Sequence, residues 1–198
     1  MGKFSRYYSQ LGMLAAPADA SRRRLLKSAL IATPAIIAAR YSGPVEAASE
    51  SRQIAFFNTH TNETLEITYY SAGEYHKDAL EKLNVVLRDH RTGDVGKIDP
   101  ALFDQLVDVA HAAGADPRFE VISGFRSAAS NEKLRAQGNG VARRSLHLDG
   151  KAIDVRLKGV KCARLCEVAL DLERGGVGLY GKSDFVHLDT GRVRHWRG

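Results

Sequence analysis

One short segment limits the possible fold and function of this chain more than any other, because it has two strong metal-binding side chains on either side of a glycine. SLHLDGKAIDV, residues 145–155, holds His147 and Asp154 seven positions apart, with Gly150 between them and a strand pattern around Asp154. An extended strand sends a carboxylate to one chosen face, and a glycine lets the chain turn back toward the histidine. Both side chains can therefore reach one ion.

A second histidine supplies a third candidate ligand. His187 lies in FVHLDTG, where the flanking apolar residues would fix its direction. Taken alone, a histidine in an apolar run is usually a hydrogen-bonded core residue, so the combination with His147 and Asp154 carries the prediction. Two imidazoles and one carboxylate suit catalytic zinc, which keeps one position for water and lowers the pKa of that water to about 7. We therefore predict a Zn²⁺ site.

The chain is basic, but its excess charge lies near the amino terminus. The whole sequence has 29 Lys and Arg against 23 Asp and Glu, whereas residues 48–198 have 22 against 21. This nearly neutral body contains no zinc-finger spacing, no P-loop and no basic helix interleaved with aromatic residues, so a nucleic-acid partner is not expected. A chain of 198 residues suits one domain with a leader, and we place the leader at 1–47 and the domain at 48–198.

The predicted leader has the pattern of an export signal. SRRRLLK at 21–27, followed by ALIATPAIIAA at 29–39, resembles a twin-arginine (Tat) signal, with Leu25 where phenylalanine is commonest. The apolar run is shorter than the roughly 20 residues of a membrane span, and Pro34 interrupts it. We expect recognition by the Tat export machinery, cleavage after residues 45–47, no stable membrane span and a periplasmic location. A basic amphipathic first helix and a retained membrane anchor are the alternatives.

The pattern of apolar residues predicts an α+β domain, since helices and strands are mixed along the chain without regular alternation. An opening hairpin is expected over 52–70, helices over 75–88, 100–113, 128–137 and 160–173, and strands over 119–122, 152–157, 176–180 and 185–189. Cys162 and Cys166 lie four apart on one helix, where disulfide geometry is rarely met, so both are expected as buried free thiols.

Several ordered blocks resemble one peptidase superfamily. The pattern S-x-H-x-x-G-x-A-x-D, met by Ser145, His147, Gly150, Ala152 and Asp154, is similar to the first metal motif of the zinc D-Ala-D-Ala peptidase and Hedgehog superfamily. SGFRS at 123–127, GGVGLY at 175–180 and FVHLDTGRVRHW at 185–196 resemble its MepK (YcbK) branch of murein endopeptidases, in the same order. The resemblance implies a small antiparallel sheet flanked by helices, zinc on His147, Asp154 and His187, and Arg126 facing the substrate carbonyl.

The general base is less well defined by the sequence. Related peptidases often have an acid three residues before the last ligand, and Asp184 occupies that position. Asp189 is the competitor, because alternate residues of a strand point to the same face as His187. We favour Asp189 slightly as the catalytic acid and keep Asp184 as the second candidate, while His195 is considered as a proton donor. The remaining histidines, at positions 60, 76, 90 and 111, are predicted to be ordinary surface or helix residues.

The resemblance implies a zinc metallopeptidase that hydrolyses the peptide crosslinks of peptidoglycan during cell-wall remodelling. Two alternatives share the same residues. A carboxypeptidase would trim a terminal D-amino acid, and its cleft would need a wall and a cation for the terminal carboxylate. A peptidoglycan-binding protein would keep the metal site without catalysis. The presence of all three ligands and of candidate acids favours an enzyme.

Overall fold

The computed structural model describes residues 50–138 and 142–198, which form one sheet with four helices. The elements in chain order are β1 (Arg52–Asn58), β2 (Thr64–Ser71), β3 (Glu74–Tyr75), α1 (Lys77–Val86), α2 (Pro100–Ala112), β4 (Arg118–Ser123), α3 (Ala128–Ala136), β5 (Ala152–Leu157), α4 (Cys162–Asp171), β6 (Gly176–Tyr180), β7 (Phe185–Asp189) and β8 (Arg194–Arg197). The predicted leader at 1–47, with its twin-arginine pattern, lies outside the described residues.

The eight strands form a mixed sheet in the order β3-β2-β1-β4-β5-β7-β6-β8. Neighbouring strands are antiparallel except for β1 with β4 and β6 with β8, which are parallel. The α+β class is confirmed, but the expected small antiparallel sheet needs correction. The chain passes through β2, β3, α1 and α2 before it returns to pair β4 with β1, and β8 joins the far edge of β6, so neither pairing is a hairpin.

One face of the sheet forms the hydrophobic core with the helices. Helix α2 packs against β1 and α4, and α4 contacts β5, β6 and β7. Alternate residues of a strand point to opposite faces, so Val155 on β5 and Leu188 on β7 are buried in this core. Asp154 and His187 lie between such core residues and therefore occupy the opposite face of the sheet.

Most element predictions are confirmed to within two residues, because each element carries its own pattern of apolar residues. Asp99 caps α2, with its carboxylate accepting a hydrogen bond from the backbone N–H of Ala101 at 3.1 Å. Cys162 and Cys166 are buried free thiols, as predicted. The short strands β3 and β8 were not predicted. Among the described residues, none of the four helices combines the length and apolar character that a membrane crossing needs.

Candidate metal centre

The register of the sheet brings Asp154 and His187 together. Strands β5 and β7 are antiparallel neighbours, and Asp154 is paired directly with His187. The same row continues on one side to Ser123 of β4 and on the other to Gly178 of β6 and Trp196 of β8. Facing residues in adjacent strands have Cβ atoms about 4.5–5.5 Å apart, so this row places the two predicted ligands within reach of one ion.

His147 reaches the same place from the turn that precedes β5. Gly150 in this turn has φ +64°, and a Cβ there would collide with the carbonyl oxygen of Lys97. Only glycine accepts both the left-handed backbone and this close approach. The carbonyl of Gly150 accepts a hydrogen bond from the N–H of Asp99 at 2.9 Å. The turn is thereby held against the start of α2, and His147 is buried over β5.

Three donor atoms form a small triangle. The distances are 3.3 Å from His147 Nε2 to His187 Nδ1, 2.8 Å from His187 Nδ1 to Asp154 Oδ1, and 3.4 Å from His147 Nε2 to Asp154 Oδ1. Ligands bound tetrahedrally to zinc at 2.0–2.2 Å would lie about 3.4 Å from one another. The donor set and its spacing therefore fit a zinc ion, and the three residues are the one candidate metal cluster among the described residues.

Each imidazole is oriented by a hydrogen bond at its other nitrogen. Nδ1 of His147 lies 2.7 Å from the carbonyl oxygen of Gly124, and Nε2 of His187 lies 3.0 Å from Oδ2 of Asp189. Both partners are acceptors, so each of these outer nitrogens would carry the ring proton when a metal ion is bound. The lone pairs of His147 Nε2 and His187 Nδ1 are then free to face the shared position, as metal-binding histidines require.

Asp189 is fully buried and has all its acceptor sites occupied. Its Oδ1 accepts from the N–H groups of Gly176 at 3.0 Å and Gly191 at 2.9 Å, and Arg194 donates to both carboxylate oxygens, at 3.0 and 2.7 Å. Burial favours the neutral acid, but His187 and Arg194 outweigh it and hold the pKa of Asp189 below its usual range. Asp189 is thus held against the outer nitrogen of His187, and its role as the general base stays a prediction.

The electrostatics of the cluster favour a positive charge at its centre. Burial acts to raise the pKa of Asp154, but the adjacent imidazoles of His147 and His187 hold it below its ordinary value. Burial also acts to lower the pKa of His187, yet the carboxylates of Asp154 and Asp189 raise it. The carboxylates of Asp154 and Asp189 therefore favour positive charge at His187, and a bound metal ion would also supply positive charge at this position.

Arg126 lies beside the cluster with part of its hydrogen-bonding capacity unused. It is 8 % exposed, its Nη2 is 4.0 Å from Oδ2 of Asp154, and its Nε has no partner among the described residues. Its backbone N–H donates to the carbonyl of His147 at 3.1 Å, which ties it to the turn that carries the first ligand. A buried guanidinium with a free donor is suited to an oxygen atom of a bound molecule.

The cluster opens into a cleft of about 700 Å³. One wall contains Trp196, whose ring centroid is 5.1 Å from that of His187 and whose Nε1 donates to the hydroxyl of Tyr180 at 3.1 Å. Gly178 makes this wall possible, because a Cβ there would lie 2.5 Å from the indole ring. The metal position is therefore bordered by aromatic rings on one side and by Arg126 on another.

Two other predicted residues are not brought to the cluster. Asp184 is in the turn before β7 with φ +51°, its side chain is 74 % exposed, and its Oδ2 lies 3.7 Å from Nε of Arg156. It lines a separate depression beside Cys162. His195 is exposed on β8, while its neighbours Arg194 and Trp196 line the cleft. Asp154 is the one carboxylate among the described residues that line the cleft, and the role of Asp184 as base stays a prediction.

Three residues of this site were not singled out from the sequence. Arg194 and Trp196 lie on β8, and the spacing of two between them in RVRHW was the available signal for a shared face. His60 was assigned to the ordinary surface histidines, but it lines the cleft and stacks on His90 with ring centroids 3.8 Å apart. No local pattern could have found it, because residues 60 and 90 meet only in the folded chain.

Substitution Asp189→Asn distinguishes a positioning role from that of a base. We expect zinc affinity to fall about 10- to 100-fold, since an amide holds His187 less firmly and leaves Arg194 unpaired. The measurement is a competition titration with a zinc chelator, with the fold checked by circular dichroism. Asp171→Asn, the same change at an exposed residue that does not line the cleft, is the control. Unchanged zinc affinity with lost activity would instead support Asp189 as the base.

The mixed sheet and the buried cluster of two histidines and one aspartate, with an arginine beside it, define a candidate metallohydrolase. Residues 46–196 match the family described as peptidoglycan L,D-endopeptidase MepK, and the chain belongs to this family. The resemblance inferred from the sequence blocks is thereby confirmed at the level of the family.

Curated relatives support the same family over most of the chain. Peptidoglycan L,D-endopeptidase MepK of Escherichia coli (strain K12) is 37 % identical over 178 residues, which cover 90 % of this chain and 98 % of the relative. The probable peptidoglycan L,D-endopeptidase MepK of Haemophilus influenzae is 41 % identical over 148 residues, covering 74 % of this chain and 80 % of the relative. The similarity therefore extends across the whole described domain.

Proposed function

We propose that this protein is a zinc-dependent endopeptidase that hydrolyses peptide crosslinks of peptidoglycan. The observation that carries the proposal is the triangle of His147 Nε2, Asp154 Oδ1 and His187 Nδ1 at the base of a cleft, in a chain that belongs to a peptidoglycan endopeptidase family. These three residues would hold the ion. Zinc in such a site polarises a carbonyl and lowers the pKa of water, which supplies the nucleophile for hydrolysis.

The surrounding residues prepare the site for this reaction. The carbonyl of Gly124 and the carboxylate of Asp189 hold protons on the outer nitrogens of His147 and His187, so that both inner nitrogens face the ion position. Arg126 would donate from its guanidinium to the scissile carbonyl oxygen and stabilise the negative charge that develops there. Its burial beside Asp154 excludes water from this contact and strengthens it.

The periplasm is the cellular location that we propose for this protein. We propose a leader at 1–47 that is recognised by the Tat machinery, and a peptidase domain at 48–198 that acts in the periplasm. The twin-arginine pattern at 21–27 and the chemistry of the substrate support this location, because peptidoglycan lies outside the cytoplasmic membrane. Fusion of residues 1–47 to a folded reporter tests it: export should require both Arg22 and Arg23.

Digestion of purified, crosslinked peptidoglycan tests the function. The protein is expected to convert crosslinked muropeptide dimers to monomers, to stop when a chelator removes the metal, and to resume when zinc is restored. The products are separated by chromatography and identified by mass. Loss of terminal residues with intact dimers would instead indicate a carboxypeptidase, and stoichiometric zinc binding without any product would indicate a binding protein.

A further inference from the structure

The cleft has more positive charge than its own carboxylates balance. Four arginines line it, at positions 91, 126, 144 and 194, together with Asp154. Arg194 is neutralised by its bidentate contact with Asp189, and Arg126 faces Asp154. Arg91 lies 3.9 Å from the buried carboxylate of Asp89, whose oxygens accept hydrogen bonds from other donors, and Arg144 has no ion pair within 4.0 Å among the described residues. An anionic group on a bound molecule would therefore find guanidinium groups here that are not hydrogen-bonded to a carboxylate.

The backbone of Arg91 is held in position relative to that of Arg126. Its backbone N–H donates to Oδ1 of Asp89 at 3.0 Å, while Oδ2 of this fully buried carboxylate accepts from the N–H of Ser127 at 2.9 Å and from its hydroxyl at 2.8 Å. Asp89 thus joins the loop that carries Arg91 to the residue following Arg126. The Arg91 guanidinium itself is 3.9 Å from Asp89 Oδ1, too far for a strong hydrogen bond.

Two histidine rings lie beside Arg91. His60 and His90 stack beside it, with ring planes 9° apart. Burial first, and then the positive charges of Arg91 and His60, lower the pKa of His90 to about 4. These repulsions indicate a cluster of cations that a bound anion would relieve.

We propose that Arg91 binds a free carboxylate of the substrate peptide beside the bond that is cut, and so helps to determine specificity. The proposal rests on the proposed function and names the substrate feature that this site recognises. Peptidoglycan stem peptides contain dicarboxylic residues such as diaminopimelate, which keep a free carboxylate next to a peptide bond. Arg126 would contact the reacting carbonyl while Arg91 contacts this neighbouring charge, so the two arginines would fix the register of the peptide in the cleft.

Two matched substrates test the proposal with the full chain. One is a crosslinked muropeptide with free diaminopimelate carboxylates, and the other carries the same groups as uncharged carboxamides. For Arg91→Gln we expect kcat/KM on the carboxylate substrate to fall about 10- to 100-fold, mainly through KM, because a charge-assisted hydrogen bond is lost. On the carboxamide the fall should be less than about threefold, so that the preference of the wild type for the carboxylate disappears.

Two further variants make the outcome decisive. Arg164→Gln removes an exposed arginine of α4 outside the cleft and should leave both substrates unchanged. Arg144→Gln should retain the preference for the carboxylate. Loss of the preference in Arg144→Gln but not in Arg91→Gln would overturn the assignment, as would equal losses on both substrates in Arg91→Gln. If the wild type cleaves neither substrate, the proposed function fails, whereas cleavage without any preference refutes the Arg91 proposal alone.

Discussion

His147→Ala is expected to lower the rate of crosslink cleavage about a thousandfold or more. The substitution removes one of three donors, and the ion that they would hold contributes several kcal/mol of transition-state stabilisation. It also leaves the carbonyl of Gly124 without its imidazole partner, which costs about 1–3 kcal/mol of stability if no water replaces it. Release of muropeptide monomers and the zinc content of the dialysed protein are the two measurements.

His111→Ala is the matched control for this experiment. His111 is an exposed residue in the last turn of α2, and it does not line the cleft. This variant should bind zinc and cleave crosslinks as the unmodified chain does. A His147→Ala protein that remains folded and active without bound zinc would contradict the proposed metal site. Thermal unfolding of both variants separates loss of the ligand from loss of the fold.

Arg126→Ala is expected to lower kcat about 10²- to 10³-fold while zinc binding is retained. Removal of one donor to a developing oxyanion typically has an effect of this size. The backbone hydrogen bond from residue 126 to the carbonyl of His147 does not depend on the side chain, so the turn that carries His147 should remain in place. Steady-state cleavage of a soluble crosslinked muropeptide and a zinc competition titration measure the two quantities.

Arg126→Lys refines the interpretation of this result. Lysine keeps the charge but not the planar fork, so partial activity is expected. Arg118→Ala removes an arginine that pairs with Glu66 on the surface and should leave kcat unchanged. If zinc affinity falls in parallel with kcat in Arg126→Ala, Arg126 acts by positioning Asp154 rather than by contacting the substrate.

The surroundings of the two candidate bases could not be predicted from sequence spacing. Asp184 and Asp189 were selected by their distances from His187 along the chain. Alternation along β7 does place Asp189 on the same face as His187, but the carboxylate is saturated by Arg194 and two backbone N–H groups. Asp184 lies in a left-handed turn and faces Arg156. Spacing indicates on which face of a strand a side chain lies, but it does not show which hydrogen-bond partners the folded chain places around that side chain.

Local sequence patterns were sufficient to predict most of the secondary-structure elements and the candidate ligand set. Each of β5, β6 and β7 was predicted over the residues that the structure gives, because apolar alternation and flanking glycines are local signals. His147, Asp154 and His187 were selected for the same reason, since their donor types and the turn at Gly150 are properties of short segments.

The mixed sheet and the surroundings of the cluster could not be predicted from local patterns, because they depend on contacts between distant segments. The pairing of Asp154 with His187 depends on the register of β5 and β7, and β8 brings Trp196 over Gly178 although RHWR has no apolar run that predicts a strand. Arg91 reaches the cleft because Asp89 joins its loop to Ser127, 38 residues away. Such contacts depend on the packing of the whole domain, so a short stretch of sequence does not predict them.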